Sequence, residues 1–296
     1  MSPDETLEAA RAGDLELLGV QRKTVGDAVR LFAQEGDAAS ALELVGRTWR
    51  IWLSRGDLDE GSAVVSAALA IPARSVVPIW QARALYACGV FAFRAGNQAR
   101  SRQSNEKALR IALQTADVRG ECDALTGLAR VALRDGRYDD VVALARQARE
   151  RADVAGDRES GAAPLHLHAA GTRLKHDYQS ARELYVESLR LNKELGNAAW
   201  VSMELHNLGW VELHLGHVED AKARFRERDA ALGSDAYGDA WTELNWCAIA
   251  AVEGDIRKAE RGLAIGTDAL EALGQALDPD DLAELNWLRE QVRARG

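Results

Sequence analysis

Three histidines and a tryptophan stand at spacings that could build a binding face. His206, Trp210 and His214 recur at steps of four, so a helix would carry them on one side, and His166 lies 40 residues before His206. Imidazoles titrate near neutral pH and an indole offers a flat face, so the set is suited to stacking on a ligand and hydrogen-bonding it. Met203 and Asn207 flank His206 in the sequence. Zinc fits poorly, because His206 and His214 are two turns apart, about 11 Å by helix rise. His214 and His217 could meet, but no cysteine or carboxylate plainly completes a tetrahedral set. Neither a metal nor another cofactor is expected. A histidine acting as general base would need a carboxylate or nucleophile beside it; Glu204 and Glu212 read as pointing elsewhere, and Glu243 as the residue able to approach. A second set is basic: Arg50, Arg83, Arg94, Arg130 and Arg134, with Tyr86 among them. Guanidinium clusters recognise carboxylate or phosphate through paired hydrogen bonds. G-x-S-x-G, H-E-x-x-H and GxxxxGK[ST] are all missing.

The elements that must position these side chains are helices. The chain has 296 residues, 47% of them hydrophobic, and only five prolines. That composition excludes a disordered chain and favours helix. No window approaches the roughly 20 apolar residues of a membrane span. The acidic N-terminus, MSPDETLEAARAGD, lacks the apolar core of a secretory signal. Three cysteines, Cys88, Cys122 and Cys247, form no C-x-x-C pair, which fits a reducing, cytoplasmic setting. A net charge of −9 argues against nucleic-acid binding, which needs a basic footprint.

Turn pairs mark a repeat. Gly56-Asp57, Gly96-Asn97, Gly136-Arg137, His176-Asp177, Gly216-His217 and Gly254-Asp255 are spaced by 40 residues, and by 38 at the last step. Gly36-Asp37, Ala116-Asp117, Gly156-Asp157 and Gly196-Asn197 fall between them on the same lattice. Glycine ends one helix in the left-handed conformation, and Asp or Asn caps the next. Between breaks, Val201, Leu205, Leu208, Val211 and Leu215 recur at three and four. Each repeat therefore reads as helix, two-residue turn, helix, loop. Such a hairpin buries its apolar face only by stacking on its neighbours.

The segment LHNLGWVELHLGHVEDAKARF (205–225) resembles a tetratricopeptide repeat. Leu205, Leu208 and Gly209 stand in the first-helix packing and small-residue slots, and Ala221 and Phe225 in the small and aromatic slots of the second helix. Long repeats ending like KELGN (193–197) resemble those of kinesin light chain. ALELVGRTWRIWLSRGDLDEG (41–61) resembles the helical array of bacterial regulators of the maltose-activator type, whose ATPase this sequence lacks. The resemblance covers about residues 20–273. It implies an all-α, right-handed solenoid of about six helical hairpins: a helical lead-in over 1–36 with one helix near 14–35, repeats over 37–278 opening near 37, 77, 117, 157, 197 and 236, and a capping helix over 279–296, all one continuous array. Glu290, Arg289, Arg293 and Arg295 read as the solvated face of that cap. Pro164 should make the fourth hairpin start late or kink, which leaves His166 and His168 able to exchange roles.

In that family the first helices line a concave groove. The resemblance then puts Arg50, Arg83, Arg94, Arg130 and Arg134 there, with Tyr86 and Phe93, opposed by Glu43 and Asp123 and joined by Arg173. The bland alternative is a solvated face with local ion pairs. His166 and His206 take equivalent slots, and Trp210 is expected exposed, with Trp241 second. Asn207 matches asparagines that hold a peptide backbone in kinesin light chain. The implied function is a non-catalytic scaffold binding a peptide or partner protein, with an acidic peptide suiting the arginines. The alternatives are a small-molecule sensor of a bacterial regulatory system, and an enzyme using the groove histidines.

Overall fold

The computed structural model describes residues 1–72, 77–231, 236–274 and 277–295. Every regular element among them is an α-helix. The lead-in contains α1 (Pro3–Ala12), α2 (Leu15–Val20) and α3 (Arg22–Glu35). In the first pair α4 (Ala38–Thr48) and its continuation α5 (Arg50–Leu53) face α6 (Leu58–Leu69). Then come α7 (Pro78–Arg94) with α8 (Gln98–Thr115), and α9 (Val118–Arg134) with α10 (Tyr138–Ala155). The last three pairs are α11 (Ala162–Leu174) with α12 (Tyr178–Glu194), α13 (Ala198–His214) with α14 (Val218–Ala231), and α15 (Ala236–Glu253) with α16 (Ile256–Leu273). A final helix, α17, covers Pro279–Arg295. Gly296, the last residue of the expected capping segment, lies outside the described residues. Among the described residues the elements are all α-helical and follow the helix–turn–helix order that the turn lattice implies.

Local chemistry sets that lattice. Gly56, Gly96, Gly136, Gly216 and Gly254 have φ between 71° and 86°, a region an L side chain enters only at a cost. His176 (φ 64°) and Ala116 (φ 52°) make the same turn without glycine. The following acid or amide then caps the next helix. Asp37 accepts from the Ser40 amide, Asn97 from Arg100, Asp177 from Ser180 and Asp255 from Lys258.

Two departures from the reading have simple causes. The lead-in is three helices rather than one near 14–35: Gly13 ends an additional α1 at φ 83°, and the stretch that follows breaks at Gln21 between α2 and α3. Gly13-Asp14 is a turn pair of the same type as the others. The fourth hairpin starts late: α11 begins at Ala162, where the lattice places residue 158. Pro164 then sits in its first turn, where a missing amide costs no helical hydrogen bond.

The helices form two compact units, Met1–Val131 with Gln147–Ser160, and Ala132–Arg146 with Gly161–Gly296. In the first, α3, α4, α6 and α7 pack together over Val25, Val29, Leu44, Trp52 and Val64. In the second, α13 packs against α12 and α14, and α17 lies against α11, α15 and α16. Leu285, Leu288 and Val292 of α17 join Trp210, Phe225, Trp241 and Leu244 in one buried cluster. Fully burying each such aliphatic side chain stabilises by roughly 1.5–3 kcal/mol before entropy, so this stripe is what docks α17. Arg295, exposed like Glu290 and Arg293, donates to the carbonyls of Ala251 and Val252 and so caps the end of α15 from the solvated face.

Close packing within a hairpin depends on small residues. Gly209 of α13 lies so near Phe225 of α14 that a Cβ there would run into the ring, and Ala221 and Phe225 are fully buried. Gly209→Ala is expected to cost about 1–3 kcal/mol through overpacking, read as a lower denaturant midpoint at unchanged helicity. A variant as stable as wild type would mean that α13 and α14 can separate freely.

Candidate functional site

The first unit gathers its candidate side chains around Asp123. This carboxyl is raised from its ordinary pKa by burial, against the pull of Arg50, Arg119, Arg83 and Arg130. No ion pair closes between Asp123 and these arginines. Arg83 instead stacks over the Trp80 ring (5.0 Å) and Arg50 over Trp49 (4.4 Å). Arg130 donates to the Tyr86 hydroxyl (3.3 Å), and Trp49 meets Tyr86 edge to face at 5.7 Å. Burial lowers the Arg83 pKa, with Asp117 and Asp123 opposing. Arg47 and Arg119 are neutralised by Glu43 and Asp157. Among the described residues Arg50, Arg83 and Arg130 have no carboxylate within ion-pair reach. The result is a cationic face with aromatic support. Arg94 is exposed at the end of α7 and joins none of these contacts.

Arg134 belongs to the second unit and pairs with Asp278 at 3.0 Å. That pair introduces the main difference from expectation. The stripe of His206, Trp210 and His214 does share one seam, but α17 covers it. Trp210 is 0% and Trp241 2% exposed, so neither is the exposed indole expected. Trp210 donates to the Asn245 side chain at 2.9 Å and packs edge-on against Trp287 of α17. The His214 Nε2 lies 2.7 Å from Glu284, and its ring stacks on Tyr178 at 4.3 Å. Arg173, 2% exposed, pairs with Asp280 at 3.0 Å and approaches Glu284 at 3.4 Å. His206 lies 3.6 Å from Asp281, too far for a hydrogen bond. Tyr237 bonds Asp281 as well. The acids that face His206 and His214 thus come from residues 281 and 284, which the 40-residue pattern does not contain.

His166 and His206 have different neighbours although their slots match. His166 meets both Glu204 oxygens (3.1 and 3.2 Å) and the edge of Trp200. His206 faces Trp241 at 4.9 Å. Glu204 therefore points at a histidine, contrary to expectation, and Glu212 likewise meets His217 at 2.9 Å. Ser188 donates to the same Glu204 carboxylate rather than to the His166 ring, so serine, histidine and acid do not form a nucleophilic relay. Glu212, His217 and Asp220 have ligand atoms close enough to share an ion, but Arg182 already bonds Glu212 at 2.7 Å and supplies the positive charge there. Met203 is on the surface of α13, and Asn207 is buried.

This array of paired helices has the fold of the tetratricopeptide-repeat proteins. Several solved structures share that fold. A Rap protein complexed with competence and sporulation factor is 13% identical, covers 99% of this chain and 85% of its own, and has a TM-score of 0.64. NprR in complex with its cognate peptide NprX is 15% identical over 97% of this chain and 81% of its own (TM-score 0.63). A putative kinesin light chain from Podosopora anserina, with nearly identical repeats, is 18% identical over 65% of this chain and 92% of its own (TM-score 0.51). No protein-family profile and no curated protein sequence matches.

The two buried imidazoles should titrate on opposite sides of the ordinary value of 6.5. Burial lowers His206, and Asp281 only partly opposes it. For His166 burial also lowers the pKa, but Glu204 outweighs it and the net shift is upward. The unfolded chain takes up protons before His206 does, so that residue costs stability as pH falls below 6.5. His166 binds protons better when folded, so its contribution is present below 6.5 and is lost as pH rises through its raised pKa. NMR titration of the assigned imidazoles checks the order; His206 titrating above His166 would refute it.

Proposed function

We propose that this chain is a non-catalytic recognition scaffold that binds a peptide or a segment of a partner protein. We assign the arginine-lined face of the first unit to an acidic segment. The observation that carries this reading is the state of Arg50, Arg83 and Arg130: ionised, held over or beside aromatic rings, and without a carboxylate partner among the described residues. A guanidinium supported by a ring is already oriented, so little side-chain entropy is lost when a carboxylate arrives. Two neighbours of the same fold, the Rap protein and NprR, were solved in complex with competence and sporulation factor and with the cognate peptide NprX, which supports the class of ligand. The cytoplasm is the proposed location; Cys88, Cys122 and Cys247 are all free and buried, in keeping with a reducing compartment. No helix among the described residues is long and apolar enough to cross a membrane.

A small-molecule sensor is the second reading. It is favoured by an open cleft of about 460 Å³ lined by Leu69, Leu85, Cys88, Arg100, Ser104 and Lys107. None of the candidate arginines or histidines lines that cleft, so the peptide reading draws on more of the molecule.

Binding of labelled synthetic peptides rich in Asp and Glu, with Lys-rich peptides of equal length as controls, tests the assignment. Wild type should bind the acidic set, more weakly as salt rises. Arg83→Glu with Arg130→Glu should weaken that binding at least tenfold while thermal stability stays close to wild type. Equal binding of both peptide sets, or no effect of the double substitution, would reject the assignment.

A further inference from the structure

The seam beneath α17 offers more hydrogen-bond donors than α17 satisfies. Arg173 on α11, Tyr185 on α12, His206 on α13, and Trp241 and Asn245 on α15 are all at least nine-tenths buried. Among the described residues each has a buried nitrogen or oxygen without a hydrogen-bond partner: Arg173 Nε, the Tyr185 hydroxyl, both His206 nitrogens, Trp241 Nε1 and Asn245 Nδ2. Guanidinium, indole and amide nitrogens can only donate, so what the seam lacks is acceptors. These groups are contiguous. Arg173 stacks over Tyr185 at 5.7 Å, His206 meets Trp241 at 4.9 Å, and Trp210 links Trp241 to Asn245. Buried donors are normally paired, so orphans gathered at one surface point to a ligand richer in acceptors than the segment now lying there.

The occupant shows what chemistry fits. α17 presents Asp280, Asp281 and Glu284, then Trp287, to the seam, with Leu285 and Leu288 in the core beside them. Positions 280, 284 and 287 are one face of a helix. We propose that the seam is a binding site for an acidic amphipathic helix of a partner protein, and that α17 is an internal segment that fills it when the partner is absent. The proposal extends the reading of this chain as a binder of acidic segments, but it uses only residues of the second unit. A second copy of the chain is a poorer occupant, because its α17 would leave the same donors unpartnered. A partner helix with further Asp, Glu or Gln side chains along that face would pair them. It must also carry apolar residues where α17 has Leu285, Leu288 and Val292, which α17 buries in the core.

The full-length chain with Asp280→Lys and Glu284→Lys loosens the internal helix and leaves the seam intact. The probe is a labelled synthetic peptide of residues 277–295. The variant should bind it at least tenfold more tightly than wild type, whose seam is already filled, and the peptide should raise the variant's melting temperature. A peptide with Lys at 280, 281 and 284 should bind neither. Adding Arg83→Glu and Arg130→Glu should leave this binding unchanged, so the two assignments fail separately. Equal affinity for wild type and variant, or equal affinity for both peptides, would overturn the proposal. Native-state hydrogen exchange of the wild type decides if the variant does not fold: α17 amides should exchange through an opening that leaves α13 and α15 protected. Exchange of α17 only together with those helices would show it to be a fixed part of the core. A concentration-dependent dimer of wild type, abolished by the two substitutions, would assign the helix to a second copy and overturn the partner.

Discussion

A guanidinium in a dry interior cannot shed its charge, and that constraint organises the second unit. Arg173 is buried on α11, and an arginine stays protonated at any physiological pH. An unpaired charge there would cost several kcal/mol, roughly what a domain can spare. Asp280 and Glu284 supply the compensation. Their positions fix the direction of α17: its acidic first turn lies at α11, and its basic end reaches the last carbonyls of α15. They fix its rotation as well, since a slip of one residue turns a helix by about 100° and would swing Glu284 away from His214. The meeting of Trp287 with Trp210 follows from the same register.

Two arginines of the first unit are held by another route. Arg50 and Arg83 rest on the indoles of Trp49 and Trp80, which accept positive charge without neutralising it. One chain thus contains both a cationic face supported by rings and a cationic seam closed by acids. The difference lies in the availability of carboxylates. In the first unit the acid at the centre, Asp123, is partly protected by burial and makes no direct pair.

The hairpins were legible because their determinants are local. A glycine with positive φ followed by a capping Asp or Asn needs no distant partner, and even His176 was recognisable by its place on the lattice. Gly13-Asp14 carries the same signal but stands off the 40-residue spacing, so the lattice does not reveal α1, and no turn pair marks the break at Gln21. The face shared by His206, Trp210 and His214 was legible from steps of four. Their exposure was not, because exposure depends on which distant segment covers a face. The clue was present in residues 280–284: acids at i, i+1 and i+4, followed by apolar residues at 285, 288 and 292. An apolar stripe beside an acidic one describes a helix with something to bind. The sequence marks this helix as a cap but does not say that its acids meet Arg173 and His214, because those partners lie on distant helices.

The ion pair between Arg173 and Asp280 joins residues 107 positions apart. A ribosome adding about 5–20 residues per second needs on the order of 5–20 s to cover that distance. Throughout that interval α11, and then α13 and α15, emerge with their donors uncovered and no α17 to meet them. The nascent chain therefore passes through a stage in which the seam is uncovered. A protein made beside its partner, on the same message or at the same site in the cell, would meet that partner before it meets its own last helix. If the seam takes a partner helix, the order of synthesis would select between the two occupants, and proteins of identical sequence would differ according to what surrounded them when they were made.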